Sequence, residues 1–272
     1  MIINDTNKLA FLHIPKCAGT SVRNSLAHLD EREGLYTGRV AWHSELGFLD
    51  YVHIPLFTLH DYFFFEYKKI AEYWSLSVIR DPFERFPSSL TQHLKMYGEK
   101  PIQKLTQKGI MLEIDKAIDY LSKSPQHNHQ LPAEYIHFQK QSDYVYLNDK
   151  PIIESIYTVN ELNKLIADIN NYTDNDVNLD RSENTQDNQG VIHRSIATQF
   201  LIETTRPLTR LFSKSLSTST KKKVRSFIYV ARDERLNSLF SSNHVKDFVR
   251  DYYKKDIELW ENTIKTNSSH RE

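Results

Sequence analysis

A lysine, a threonine and a serine gathered around one glycine, between an apolar run and a helical pattern, are residues for holding an anion. They lie in Phe11-Leu-His-Ile-Pro-Lys-Cys-Ala-Gly-Thr-Ser-Val22. The run Leu9 to Ile14 predicts a strand, and Val22, Leu26 and Leu29 recur at roughly helical spacing. A strand, a tight turn and a helix opening at Thr20 and Ser21 expose unpaired backbone N–H groups where the helix dipole favours negative charge. Gly19 allows close backbone approach, and Thr20 and Ser21 add hydroxyl donors. Lys16 adds a mobile positive charge. These residues, with the backbone of Cys17 and Ala18, predict a loop for phosphate or sulfate. It is not a Walker A loop, which needs G-x-x-x-x-G-K-[ST]; here the lysine precedes the single glycine by three residues.

A second segment has complementary chemistry. Ser75 to Ile79 reads as a buried strand, followed by Arg80-Asp-Pro-Phe-Glu-Arg-Phe-Pro-Ser-Ser-Leu90. Pro82 fits the first turn of a helix, and Pro87 is expected to kink or interrupt it. Arg80, at the strand end, and Ser88, eight residues on, are placed to converge on one anion with a planar fork and a hydroxyl. Arg85 and Ser89 are weaker candidates, and Arg85 could instead pair with Asp81 or Glu84 on the helix surface.

Together, P-K-x-x-G-T-S and R-D-P-x-x-R-x-x-S, about 60 residues apart, resemble the two nucleotide-binding motifs of sulfotransferases that use 3′-phosphoadenosine 5′-phosphosulfate (PAPS). The first is similar to the H-I-P-K-T-G-G-T-S loop of the carbohydrate, heparan sulfate 2-O-type branch, with Cys17 for Thr and Ala18 for Gly. The ending Tyr253-Lys-Lys-Asp-Ile-Glu-Leu-Trp260 resembles that branch's closing helix. The resemblance implies an α/β fold with a central parallel sheet flanked by helices, related to P-loop nucleotide-hydrolase folds. It implies that Lys16 and residues 17–21 hold the phosphosulfate, and that Arg80 and Ser88 hold the 3′-phosphate. It also implies sulfuryl transfer to a hydroxyl of a carbohydrate or glycolipid, with PAP as the product and no metal required.

In-line sulfuryl transfer needs positive charge on the leaving oxygen and a base for the acceptor hydroxyl. Lys16 is the candidate for the first. For the base, the chain offers His43, His53, His60 and Glu66. The resemblance favours His53, in the place of the branch's catalytic histidine, although Val52 stands where that family has glycine. His60, with His127, His129 and Gln130 in Gln126-His-Asn-His-Gln-Leu-Pro132, are candidates for acceptor binding. As metal ligands, His127 and His129 have unfavourable spacing and no accompanying carboxylate. Tyr51, Phe57 and Tyr62 to Phe65 could stack on sugar faces or sit in the core. A kinase or NTPase, and a non-catalytic nucleotide- or glycan-binding member, remain as alternatives.

The rest of the chain must position these groups. With 35 basic and 35 acidic residues the formal charge is zero, which argues against a general nucleic-acid binder. Cys17 is the only cysteine, so no intrachain disulfide forms. No stretch longer than ten residues lacks a charged side chain, so no transmembrane segment is expected. Neither a basic nor an apolar signal region opens the chain, and the expectation is a cytoplasmic protein of bacterial type. Alternating strands and helices predict one α/β domain over 1–272. Further strands are expected at Tyr51–Ile54, Tyr144–Leu147 and Ser155–Val159. Helices are expected near the end of Phe57–Ile70 and at 82–97, 110–123, Glu161–Ile169 (capped by Asn160) and Val245–Ile264. Residues 171–190 predict a polar loop. The Ser/Thr- and Lys-rich stretch 203–226 reads as a mobile segment, lid or basic edge, or as a solvated face. The sequence leaves the oligomeric state open.

Overall fold

The computed structural model describes residues 1–38, 40–100, 102–179, 191–193, 229–231 and 238–269. The chain divides into two compact units, Met1–Arg181 with Ser242–Glu272, and Ser182–Ser241. The second unit includes an antiparallel pair of short strands, Val191–His193 and Tyr229–Ala231. The stretch 203–226, and the predicted polar loop beyond residue 179, lie outside the described residues.

The first unit is built on a four-stranded sheet. Its strands are β1 (Ile2–Asn4), β2 (Leu9–Leu12), β5 (Trp74–Ile79) and β8 (Ser155–Thr158), paired in the order β1-β2-β5-β8. β2, β5 and β8 run parallel, while β1 pairs antiparallel at the edge, so the sheet is mixed rather than wholly parallel. Parallel strands covered on both faces need near-continuous apolar sequence. Leu9, Ala10, Phe11 and Leu12 are all within 1% exposure. β5 admits serines because their hydroxyls are satisfied: Ser77 Oγ donates to the Leu12 carbonyl at 2.7 Å.

α1 (Gly19–Ser25) follows β2 through a tight turn. An antiparallel hairpin comes next, β3 (Val40–His43) and β4 (Gly47–Asp50), then α2 (Leu56–Tyr62) and α3 (Phe64–Glu72). The predicted strand at 51–54 is therefore displaced: β4 ends at Asp50, and a turn follows in which the His53 N–H bonds the Asp50 carbonyl at 3.1 Å.

α4 spans Pro82–Tyr97, as predicted. Asp81 accepts the Phe83 N–H at 2.8 Å as N-cap, Pro82 occupies the first turn, and the helix continues through Pro87. Its buried face (Arg85, Phe86, Ser89, Leu90, His93, Leu94) keeps helical spacing. α5 covers Gln107–Lys123. The predicted strand at 144–147 is instead a short helix, α6 (Ser142–Val145), then β6 (Tyr146–Leu147), paired with β7 (Lys150–Pro151). α7 runs Leu162–Thr173, four residues longer than predicted at its C-terminal end. Glu161 rather than Asn160 marks its start, its carboxylate accepting the Thr158 N–H and hydroxyl at 3.0 and 2.9 Å. The predicted C-terminal helix is two, α8 (Asn243–Tyr252) and α9 (Lys254–Ser269). Tyr253 breaks them, its buried hydroxyl donating to the Phe138 carbonyl at 2.8 Å.

Candidate active site

The registers Leu12↔Ser77 and Ile79↔Thr158 bring the C-terminal ends of β2, β5 and β8 to one edge of the sheet. Open α/β sheets bind ligands outside such an edge. The Lys16 loop leaves β2 there, and Arg80 leaves β5 there.

The loop has an unusual backbone. Lys16 and Ala18 both adopt left-handed conformations, with φ of 63° and 58°. Each costs a non-glycine residue roughly 1–2 kcal/mol. Left-handed residues interleaved in a turn direct backbone N–H groups into a concavity suited to anions. No side chain caps the helix start at Ala18. Gly19 is required for a packing reason: a Cβ there would lie 1.9 Å from His13 Cδ2. Thr20 is half-buried and Ser21 buried. Lys16 Nζ reaches Gln92 Oε1 on α4 at 3.4 Å. Gln92 lies one turn beyond Ser88 on the same side of α4, so Lys16 reaches the face of α4 that carries Ser88.

Cys17 is wholly buried, with Sγ 3.2 Å from Gln141 Oε1, and burial pushes its thiol up to about 11. A buried neutral thiol is a packing group, not a nucleophile. Native protein at pH 8 is therefore expected to resist iodoacetamide over hours and to alkylate fully once unfolded; rapid native labelling would contradict this burial.

Gln141, also fully buried, ties the loop to Arg80. Its Oε1 accepts the Arg80 N–H at 2.9 Å, and its Nε2 donates to the Arg80 carbonyl at 2.9 Å. The Arg80 guanidinium lies toward the surface, with Nε 3.2 Å from Glu84. Arg85 does neither thing expected of it. It is 1% exposed, and its guanidinium donates to the carbonyls of Pro15, His137 and Gln139, with Asp256 at 3.9 Å. It buttresses the loop from below instead of facing an anion or pairing with Asp81 or Glu84. Ser89 is likewise buried, donating to the His137 carbonyl at 2.7 Å.

His53 stands at this edge through His13, the residue following β2. Their ring centroids are 4.6 Å apart, and His137 lies 5.5 Å from His53 on another side. His53 Nδ1 is 3.0 Å from Asp50 Oδ2, both groups being buried. Burial pushes the Asp50 carboxyl up, but the hydrogen bond and charge of His53 and the Val52 N–H hold it below its ordinary value. Burial lowers His53, outweighing the upward pull of Asp50. The dyad is thus a neutral imidazole and a carboxylate. A carboxylate only accepts, so Nδ1 carries the proton and Nε2 the lone pair. Tyr144 Oη donates to the His53 carbonyl at 3.2 Å and holds its backbone.

The other candidates lie elsewhere. His60 is exposed on α2, bonded to Asp61 at 2.6 Å and edge-on to Tyr67. His127 is exposed in its loop. The His129 carbonyl accepts from Gln139, and His129 borders a shallow surface groove with Lys116, Tyr120 and Tyr135. Gln130 Oε1 is buried without a hydrogen-bond partner. Among the described residues no three His, Cys, Asp or Glu side chains are grouped to hold a metal ion, and no helix is long and apolar enough to cross a membrane. Of the aromatic residues, Phe57 is buried, Tyr51 and Phe63 pack on the core, and Tyr62, Phe64 and Phe65 are exposed.

Asp50, Gln141, Asp256 and the placement of His13 escaped sequence reasoning. Asp50, three residues before His53, carried a signal: an acid beside a candidate base is a potential orienting group.

A model of the sulfotransferase family matches residues 1–261. The chain belongs to the sulfotransferase family. No curated protein and no solved structure matches it significantly. In this sulfotransferase the α/β fold accords with the family, whose general chemistry is sulfuryl transfer.

Proposed function

We propose that this sulfotransferase moves a sulfuryl group from PAPS to a hydroxyl of a carbohydrate or glycolipid acceptor, with Lys16 and His53 as its catalytic groups. The observation that carries this is the meeting, at one sheet edge, of an anion loop, a strand-end arginine and a base–carboxylate dyad, bridged by Gln141 and His13. The donor set suits a molecule anionic at two places. Backbone N–H groups of residues 17–21, the Thr20 hydroxyl and Lys16 would hold the phosphosulfate. Arg80 and Ser88 would hold the 3′-phosphate, Arg80 turning from Glu84 to do so. Gln141 keeps the two regions in register.

When bound, PAPS supplies an activated sulfuryl group on a phosphate leaving oxygen. Lys16 neutralises charge growing on that oxygen. His53 Nε2 takes the acceptor proton, while Asp50 holds the tautomer and stabilises the imidazolium that forms. The carbohydrate class rests on the loop's likeness to the carbohydrate branch, and is supported by the hairpin leading into the dyad. Trp42 and Phe48 face each other across β3 and β4 with centroids 5.3 Å apart, 66% and 69% exposed. Such rings offer electron-rich faces to the C–H groups of a sugar.

The test incubates the protein with PAPS and a panel of glycosaminoglycan and lipid-linked oligosaccharides, reading the sulfate mass increment. Transfer to at least one glycan is expected, falling about 10²–10⁴-fold in His53→Ala. Burial lowers His53, so the rate should be flat through neutral pH and fall only as acid protonates the base below its ordinary range. Transfer undiminished in His53→Ala, or a rate rising in acid, would remove His53 from this role.

A further inference from the structure

His13 lies between the two halves of the site, and the chemistry above gives it no task. It directly follows β2 and is 3% exposed. One side of its ring abuts the loop: a Cβ at position 19 would lie 2.2 Å from Nε2 as well as 1.9 Å from Cδ2. Another side meets the His53 ring at an interplanar angle of 63°. Phe11 stacks behind it, with centroids 6.4 Å apart. The imidazole is thus gripped between the helix end of the anion loop and the proposed base.

Packing alone does not account for an imidazole here. His13 Nδ1 is buried with no hydrogen-bond partner. An unsatisfied buried nitrogen costs about 1–3 kcal/mol, a penalty that an apolar side chain of similar volume avoids. A buried, unsatisfied polar group at a functional edge is a place where local stability has yielded to another requirement.

We propose that His13 is a positioning residue of the transfer step: its rigid, neutral ring is the spacer that sets His53 against the Gly19 end of the anion loop, and its bulk is why position 19 must be glycine. This rests on His53 being the base. The charged and titratable groups facing the pair favour a neutral ring at 13. His53 arrives from the turn after β4, His137 from the turn at Ile136–Phe138, Arg23 from α1, and the amino group of Met1 from just ahead of β1. Burial first, then the positive charge that His53, the Met1 amino group, Arg23 and His137 carry when protonated, holds His13 well below its ordinary value. Asp50, the acid of the group, is engaged by His53. A neutral spacer keeps its size and charge across the working pH range, as the geometry between a base and its substrate requires.

The test is a cycle of wild type, His13→Ala, Gly19→Ala and the double variant. Three readings are taken: Tm, affinity for PAP, and hydrolysis of PAPS with water as acceptor. The imidazole titration of His53 is followed in parallel by NMR, a reading that needs no donor. Gly19→Ala should lower Tm and weaken PAP binding at least about tenfold, because its methyl drives into His13. The double variant should regain most of both losses, because the space is vacated. His13→Ala alone should keep PAP affinity within about twofold, lose at least about tenfold in turnover, and let water reach His53, raising its titration by about half a unit. His13→Gln, polar but not rigid, serves as second variant should the alanine protein not fold, and should show the same loss of turnover. Unchanged turnover and unchanged His53 titration in both His13 variants would overturn the proposal. So would a Gly19→Ala defect equally large with and without His13. A wild type that neither binds PAP nor hydrolyses PAPS would overturn the function reading instead, leaving the spacer to be judged on the Tm cycle and the His53 titration.

Discussion

Lys16→Ala is expected to lower the rate of sulfuryl transfer by about 10²–10³-fold, the range for removing one preorganised group that stabilises transition-state charge. PAP binding should weaken only a few-fold, because in the proposed site backbone N–H groups and Arg80 would still hold the bisphosphate. Lys16 is half-buried, in a left-handed turn, with its ammonium beside Gln92 of α4. It therefore points toward α4 rather than into bulk solvent. A charge placed there contributes most where charge develops, on the leaving oxygen, so the loss should fall on kcat. Lys16→Arg should recover only part of the rate, since a planar fork does not reproduce a compact ammonium. A variant with normal kcat and raised KM would show Lys16 to be a binding group alone.

Asp256→Ala is expected to destabilise the fold by about 3–5 kcal/mol, as removal of one partner from a buried charged network does. Asp256 is wholly buried on α9, and its two oxygens accept the N–H groups of Gln141 and Ser142 at 2.7 and 2.8 Å. It also faces Arg85 at 3.9 Å. The alanine variant leaves those two N–H groups without their acceptor, and the buried Arg85 guanidinium without its counter-ion. A fall in Tm on the order of 10 °C follows for a chain of this size. Asp256→Asn keeps one acceptor oxygen and should lose clearly less. Because Gln141 bridges Cys17 and Arg80, the alanine variant should also bind PAP more weakly below its melting range. A Tm within about 2 °C of wild type would show the network to be dispensable.

How far the sequence could be read follows from the range of the interactions. The strand–turn–helix of the loop was legible because it is made by neighbouring residues. α4 was legible because Asp81, Pro82 and its apolar spacing all act within a few turns. Arg85 was misplaced because its partners are carbonyls of residues 15, 137 and 139, far along the chain. The pattern from Tyr253 to Trp260 was visible, yet its meaning was not: Tyr253 and Asp256 fasten α9 beneath the loop through Phe138, Gln141 and Ser142. Tyr144 to Leu147 reads as a strand by composition, but Asp256 accepting the Gln141 and Ser142 N–H groups stabilises a helical turn there. His53 is marked in the sequence by its place in the family resemblance, while its partner Asp50 and its neighbour His13 emerge only when β2, β4 and the turn at 136–138 come together.

The most direct test of the central claim is calorimetric titration of the purified protein with PAP, with ATP as control, in wild type and Arg80→Ala. Micromolar binding of PAP, much weaker for ATP and weakened at least tenfold by Arg80→Ala, is the predicted result. Absence of PAP binding, or preference for ATP with magnesium, would contradict the assignment of this sheet edge to PAPS.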